Sequence, residues 1–421
     1  MSPPPARPLT VIDARLGGAA ANLRCAGGAI EAIGPDVAAE PGDEVIAAGG
    51  APIVPALVNG HTHAAMTLFR GYGDDMPLIR WLEEKIWPAE ARLEDDDVYW
   101  GARLACLEMV RTGTCRFWDM YWHPGATARA AADTGLRATI GAPLIDAGGD
   151  PAALREAALA SLEQLDGADP EVVPSLAPHA IYTVSGESLR WIADESAARA
   201  WPVQIHLSET EQEVLDCLRE HGERPAHYLD RLGLLAERTV LAHGVWLDDE
   251  ELALIAERGA TVVSNPVANM KLAVGGVFPY PRARTAGVRV GLGTDGAGSN
   301  NSLDLIADVK VFALLQKHAA GDPAILDAEE AWEIACGARS TLLGGAARLE
   351  PGGPADFLLL RAGSAELSLG DETAGLVYAA SGSIVDTTVV AGRVLMRGGV
   401  VEGAEEVIGR AGERAERLLR G

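Results

Sequence analysis

At 421 residues, 48% hydrophobic and 23% charged, the chain has globular composition and enough length for one large α/β barrel with a smaller appendage, or for two ordinary domains. A formal net charge of −25 argues against binding a nucleic-acid backbone, which needs a basic surface, and no apolar run reaches membrane-spanning length. The opening MSPPPARPLTVIDARL lacks the basic-then-apolar order of a secretory leader, and Cys25, Cys106, Cys115, Cys217 and Cys336 form no C-x-x-C, so a cytoplasmic protein with reduced thiols is expected. Lysine is confined to Lys85, Lys271, Lys310 and Lys317. Such an acidic, lysine-poor surface would suit a high-salt cytoplasm, a reading that unchanged stability and activity between low and molar KCl would remove.

From about Leu9 to Ile46, short apolar runs alternate with turn residues (LTVIDARL, AANLRCAGGAIEAIG, DEVIAAGG), the pattern of brief antiparallel strands. The same texture returns near the other end in PADFLLLRAG, AGLVYAA and SIVDTTVVAGRVLMRGGVVEG. Neither stretch can bury a core alone, so both are expected to join in one β-sandwich domain over 1–54 and 350–421. Ala404 to Leu419 carries helical periodicity with mixed charge. Between them, 55–349 alternates strand-like runs with Ala- and Leu-rich amphipathic stretches such as Val98–Thr112, Ala152–Leu165, Gly186–Ala200 and Asp248–Arg258. The strand-like runs are PIVPALVNG, TCRFWDMY, RATIGAPL, VVPSLAPH, PVQIHLSE, TVLAHGVW, TVVSNPVAN and VRVGLGTDG. Eight strands alternating with helices predict a (β/α)8 TIM barrel, whose functional residues gather at the C-terminal strand ends.

Histidines fall at those ends. His61 and His63 close the first strand, two apart, so in an extended segment both imidazoles point to one side and could grip one cation. His179 ends the fourth strand, His206 the fifth, His243 the sixth, and Asp295 the eighth. Six metal-binding or ionisable side chains thus converge on one rim. His221 and His227 lie in a polar helical segment and read as solvated; His318 ends a helix, where a partly positive ring suits the dipole; His123 follows Trp122 in a loop and is ambiguous.

Five motifs in order, GHTHAAMTLFRGYGDDMPLIRWLEEKIWPAE, HLSETEQEV, LAHGVWL, SNPVANMKL and GTDGAGSNNSLD, resemble the amidohydrolase superfamily in its branch of nucleoside and triazine aminohydrolases. Within that branch the chain is most similar to the 5-methylthioadenosine/S-adenosylhomocysteine deaminases, over nearly its whole length. The resemblance implies one divalent metal held by His61, His63, His206 and Asp295. Three neutral imidazoles and a carboxylate suit catalytic Zn2+, with Fe2+ also compatible. Binuclear relatives bridge two metals with a carboxylated lysine in the fourth-strand region; VVPSLAPHA has none, which leaves a mononuclear site. By the same resemblance, Glu209 protonates the purine ring nitrogen (N1 of adenine) as a metal-activated water adds to C6. His243 and Asp295 move the water's proton, and ammonia leaves. Glu90 would hold the ribose hydroxyls and His179 the purine or its sugar. Met66, Leu68 and Trp87, apolar residues near the rim, could accommodate a 5′-thiomethyl group or serve core packing.

One departure stands out. Relatives that grip the homocysteine carboxylate often carry an arginine after the third strand; Ile140-Gly141-Ala142-Pro143 has none, and Arg155 on the following helix is the alternative. The expected substrate is a small adenine nucleoside: methylthioadenosine, adenosine, 5′-deoxyadenosine or S-adenosylhomocysteine. Alternatives are a guanine, pterin or triazine hydrolase of the same branch, which needs no sugar clamp, or a non-catalytic scaffold, which would lack metal ligands. A homo-oligomer is compatible with this reading. Asn265 and Asn269 could contact ligand or tie their loop, and Ser299 and Asn300 are expected to orient Asp295.

Overall fold

The computed structural model describes residues 7–146, 149–368 and 370–420. Residues 1–6, which open the stretch read for a leader, lie outside the described residues, as do 369 and 421 of the terminal domain. In the N-terminal part the strands are β1 (Leu9–Leu16), β2 (Ala19–Ala26), β3 (Ala29–Gly34) and β4 (Glu44–Pro55). β1 to β3 form an antiparallel meander as expected. β4 differs: it lies on the far side of β1 and pairs with it in parallel, Leu9 opposite Glu44. The reason is topological, since residues 35–43 must cross back over the meander and a crossover returns the chain in the same direction.

Eight strands follow, one in each run predicted: β5 (Leu57–Thr62), β6 (Thr114–Met120), β7 (Arg137–Leu144), β8 (Val172–Pro178), β9 (Val203–Leu207), β10 (Thr239–His243), β11 (Thr261–Ser264) and β12 (Arg289–Leu292). They form one parallel sheet in sequence order. Every residue of β9, β10 and β11 is buried, polar ones such as Gln204 and His206 included, because the sheet is covered by helices outside and filled by side chains within. Between them lie helices Asp95–Arg111, Pro124–Thr134, Pro151–Glu163, Gly186–Arg199, Glu211–His221 and Asp249–Arg258, within a few residues of the predicted spans where these were given, and helix Leu305–Ala320 follows β12.

β12 returns beside β5, and the seam is closed by hydrogen bonds just above the strands. Thr294 N donates to Asn59 Oδ1 (3.1 Å), Asn59 Nδ2 to Thr294 Oγ1 (2.7 Å), Asp295 N to the His61 carbonyl (3.0 Å) and Thr62 Oγ1 to the Asp295 carbonyl (2.9 Å). Gly293 makes this approach possible: a Cβ there would stand 2.7 Å from the His61 carbonyl oxygen.

Past the barrel the chain rejoins the terminal sheet through β13 (Phe357–Leu360), β14 (Val385–Val390) and β15 (Arg393–Met396), giving the order β15-β14-β13-β4-β1-β2-β3. β4 belongs to both halves, its first part pairing with β1 and Ile53 to Pro55 pairing with β13. Leu9, Val11, Leu23 and Ile46 share one apolar cluster with Phe357, Leu359 and Val389, so the two chain ends bury a common core. Helix Ala404–Leu419 leaves this domain and packs on helix Asp95–Arg111. No helix among the described residues is long and apolar enough to cross a membrane. All five cysteines are buried and free, and burial raises their thiol pKa values, that of Cys25 to about 11.

Candidate active site

The strand ends that carry the predicted residues are locally irregular. Between Asn59 and Thr62, Gly60 and His61 stand opposite the single residue Trp118 of β6, a bulge that re-aims the end of β5. Ser208, His243 and Asp295 adopt φ of 50°, 76° and 62°, left-handed values that cost a non-glycine residue about 1–2 kcal/mol each. These three immediately follow, end or succeed strands β9, β10 and β12, so the strain is concentrated on one rim.

There the structure brings His61, His63, His206 and Asp295 together, with their donor atoms all within 4.8 Å of one another. His206 Nε2 stands 3.2 Å from His61 Nε2 and 3.3 Å from His63 Nε2, and Asp295 Oδ1 lies 3.5 and 3.2 Å from the same two atoms. Donors ~2.0–2.1 Å from a tetrahedral metal stand ~3.3 Å apart, so the spacing fits a divalent cation. The tautomers fit as well. His63 Nδ1 lies 2.6 Å from the Met120 carbonyl and His206 Nδ1 2.7 Å from the His179 carbonyl. A carbonyl can only accept, so both rings carry their proton on Nδ1 and turn the Nε2 lone pair inward. His61 is fully buried, its Nδ1 without a hydrogen-bond partner.

Burial and the neighbouring imidazoles hold His206 well below the ordinary histidine range. His63 is pushed up to about 9, against the opposing effect of burial, by its contact with Asp295; the two imidazoles in turn hold Asp295 well below the carboxylate range although burial pulls it up. One proton can satisfy a single pair in this cluster and leaves the other lone pairs facing one another; a divalent cation satisfies all four donors at once. Ser299 Oγ donates to Asp295 Oδ2 (2.6 Å), the orienting contact expected of it. Asn300 does not reach that side chain: its Nδ2 donates to the Thr294 carbonyl and to Asp308, holding the backbone before Asp295 instead.

Glu209 and His243 face each other beside the cluster, Glu209 Oε1 3.8 Å from His243 Nδ1. The helix after Glu209 is capped by Thr210, so the Glu209 side chain is not spent on the helix end. Burial raises the Glu209 carboxyl, with the Asp295 charge adding to it and His243 opposing. His243 Nδ1 lies 2.8 Å from Asn269 Oδ1 and 3.3 Å from Asn265 Nδ2, so the SNPVAN turn orients this imidazole. Glu213, to which no role was given, accepts from the backbone N–H groups of Ser208 (2.8 Å) and Glu209 (2.9 Å). Burial raises its carboxyl as well, against the pull of these two donors.

The cluster opens into a cavity of about 770 Å3, including its solvent-filled mouth, lined by His63, His206, Asp295, Glu209, His243, His179 and Glu90 among others. Glu90 is half-buried and braced: Tyr121 Oη donates to its Oε1 (2.7 Å) and Trp122 Nε1 to its Oε2 (3.2 Å). Both donors come from the end of β6, 31 and 32 residues away, and nothing in the sequence pattern couples them to Glu90. His179 lines the cavity with its Nδ1 3.0 Å from Thr183 Oγ1, and burial pushes its ring down to about 3. Met66 and Trp87 line the cavity; Leu68 is buried behind it, packed with Phe69. Arg155 is engaged elsewhere, both terminal nitrogens 3.0 Å from Glu187, and is not among the residues lining the cavity. Of the other histidines, His221 is exposed but stacked on Tyr228 at 3.9 Å rather than free in solvent, and His123 precedes helix Pro124–Thr134 with a left-handed φ of 51°.

Residues 53–395 match the amidohydrolase family. A 5′-deoxyadenosine deaminase of Methanoregula boonei is 48% identical over 381 residues, 89% of this chain and 86% of that one. A 5-methylthioadenosine/S-adenosylhomocysteine deaminase of Archaeoglobus fulgidus is 42% identical over 406 residues, 94% of this chain and 95% of that one. Among solved structures, a zinc-bound adenosine deaminase from Xanthomonas campestris superposes with a TM-score of 0.91 at 31% identity, covering 100% of both chains. The bulged first strand, the histidines and aspartate it shares a rim with, and these matches lead to one assignment: the chain belongs to the amidohydrolase family.

Proposed function

We propose that this chain is a metal-dependent hydrolytic deaminase that removes the 6-amino group of an adenine nucleoside, releasing ammonia and leaving the inosine analogue. The observation that carries the reading is one cavity holding a three-histidine, one-aspartate cluster, a buried carboxyl with a raised pKa (Glu209) and a braced second carboxyl (Glu90). The deaminases at 42–48% identity support the choice of reaction. Residues 55–349 are proposed as the catalytic unit, with 1–54 and 350–421 as the supporting one.

His61, His63, His206 and Asp295 would hold the metal, zinc in our reading, with iron(II) compatible with the same donors. Bound there, such an ion lowers the pKa of a water to roughly 7 and supplies a nucleophile at neutral pH. Glu209, whose carboxyl burial pushes toward the protonated form, donates to N1 of the adenine as C6 becomes tetrahedral. His243, whose Nδ1 is taken up by Asn269, offers Nε2 to receive the proton of the attacking water, with Asp295 as its relay. That proton then leaves with the amine as ammonia, and the remaining proton of the added oxygen returns to Glu209 as C6 becomes a carbonyl. Glu90 accepts the two ribose hydroxyls, and His179 contacts the purine or its sugar. Among the described residues the cavity lining carries no lysine or arginine, which favours methylthioadenosine, 5′-deoxyadenosine or adenosine over the amino-acid tail of S-adenosylhomocysteine.

The test is an ammonia-release screen over these four nucleosides with guanine and a melamine-type triazine, alongside metal analysis of the purified protein. Release from an adenine nucleoside with one metal per chain is expected. Reaction of guanine or the triazine alone would sink the proposal, and two tightly held metals would sink its mononuclear form.

A further inference from the structure

Among the described residues the Glu209 side chain makes no hydrogen bond that would fix its direction, and its Oε1 stands 3.8 Å from His243 Nδ1. What aims it is therefore the backbone, and that backbone is strained, with Ser208 left-handed at φ 50° and its Oγ buried without a partner. Glu213 meets the turn from below. It is 5% exposed, and its two oxygens take the consecutive N–H groups of Ser208 (2.8 Å) and Glu209 (2.9 Å). Consecutive N–H groups in such a turn form a concavity that takes acceptor oxygens, here the two of a carboxyl supplied by the chain itself.

An ordinary capping role would look different, and the chain provides the comparison. Glu251 also occupies the third position of a helix that follows a barrel strand. It reaches back to the N–H of its own cap, Asp248, while Asp248 accepts from Glu251 N. Its further contacts, Ala226 N (3.0 Å) and Arg224 Nε (2.8 Å), are at the start of the neighbouring helix and not on the Ser208 turn. Glu213 sits at the same helical position behind the cap Thr210, yet its hydrogen bonds run past Thr210 to Ser208 and Glu209. The side chain is displaced from the helix end onto the active-site turn.

We propose that Glu213 is a positioning residue that holds the left-handed Ser208 turn and thereby aims the Glu209 carboxyl at the substrate. The inference rests on the role given to Glu209 above. A carboxyl accepts at both oxygens; an amide accepts at one and turns an NH2 group toward the second N–H. Glu213→Gln is therefore expected to lower kcat at least tenfold, toward the about 100-fold that ~1 Å misplacement of a catalytic group costs, with KM and metal content unchanged within about threefold. Glu251→Gln, which weakens the comparable cap away from Glu209, is expected to lower Tm and leave kcat within about threefold.

Glu213→Gln and Glu213→Ala, Glu251→Gln and the unaltered chain are assayed together for kcat, KM, metal stoichiometry and Tm. Full kcat in Glu213→Gln overturns the inference. So does a parallel loss of kcat, KM and metal, or failure of both Glu213 variants to fold, since each assigns the residue to the fold alone. An equal kcat loss in Glu251→Gln overturns it as well. If the unaltered chain deaminates and Glu209→Gln does not, only this inference is at stake; if the unaltered chain releases no ammonia from any adenine nucleoside, the activity reading falls and this inference with it.

Discussion

The cavity has two kinds of wall. One is made of strand ends: His61 on β5 and His63 just after it, His206 on β9 and Asp295 after β12, tied across the closing seam by Asn59, Thr62 and Thr294. The other is Ala64–Glu90, a succession of a 3-10 turn (Ala64–Phe69), a four-residue helix (Leu78–Trp81), a π-helical turn (Leu82–Ile86) and another four-residue helix (Trp87–Glu90). The first wall is almost entirely buried, while the second leaves Ile79 51% and Trp87 40% exposed. Barrel strands confer rigidity by their ladders, whereas such short helices hold only through what they touch. Arg92 and Arg417 tie the end of this wall to the C-terminal helix, and Ala411 and Leu418 of that helix pack in one cluster with Ile86 and Ala89. The reaction is thus proposed to sit on the rigid wall and the choice of substrate on the packed one.

The largest expected effects test the rigid wall. Removing one donor from the cluster, by His206→Ala or Asp295→Asn, should abolish metal retention and deamination together, while changes in the second wall should leave one metal per chain by elemental analysis. A Trp87 or Glu90 variant that lost metal would break the division. Glu209→Gln belongs to the same wall but touches no metal ligand's role. It should keep the metal and lose about 10²–10⁴-fold in kcat, the range of general acid–base catalysis. The sign of its pH dependence follows from burial. On the proposed role rate requires the protonated carboxyl, the folded pKa is raised, and so rate should decline as pH climbs through a value above the ordinary carboxylate ~4.3. A kcat–pH profile of the residual activity of Glu209→Gln should lack this descent.

The two walls also differ in how far the sequence disclosed them. Strand-end ligands are legible because a buried run closes on a histidine or aspartate, and eight such runs predict which rim they share. The spacing of two in His61-Thr62-His63 pointed to one side of a regular strand; the bulge at Gly60 and His61 is a tertiary detail of β5 against β6 that spacing does not encode. Tyr121 and Trp122 were invisible as partners of Glu90, since their contact depends on where a non-strand segment lies over β6. Glu213 lies within the HLSETEQEV motif, but the sequence assigns it no role, because its bonds to Ser208 and Glu209 depend on how the strand-to-helix turn folds back over the helix start. In the terminal domain, alternation revealed the paired strands but misread AGLVYAA, which forms the end of helix Glu372–Tyr378, and it did not reveal the parallel partnership of β1 with β4, which hydropathy leaves undetermined.

Smaller effects are expected from the packed wall. Glu90→Gln removes the charge from a proposed acceptor of two hydroxyls. A hydrogen bond to a charged group is worth about 1.5–3 kcal/mol, so KM for adenosine should rise about 10–100-fold with kcat much less affected. Free adenine, which has no sugar, should show no such difference between the two proteins.

Tyr121→Phe should give the smallest change and the sharpest one. It leaves Glu90, the metal ligands and Glu209 in place, and removes only the hydroxyl that donates to Glu90 Oε1. Two outcomes oppose each other. Losing the brace frees the carboxyl to move, while losing a donor leaves it a stronger acceptor for the ribose. Trp122 still holds the other oxygen, at 3.2 Å, so the carboxyl keeps one of its two anchors and the lost order should outweigh the gained basicity only slightly. A rise in KM of about threefold, near 0.6 kcal/mol and within the net worth of one hydrogen bond, is the expectation. A fall in KM would mean that Tyr121 competes with the sugar for Glu90 instead of presenting it, and an effect as large as that of Glu90→Gln would mean that this wall is held at a single point.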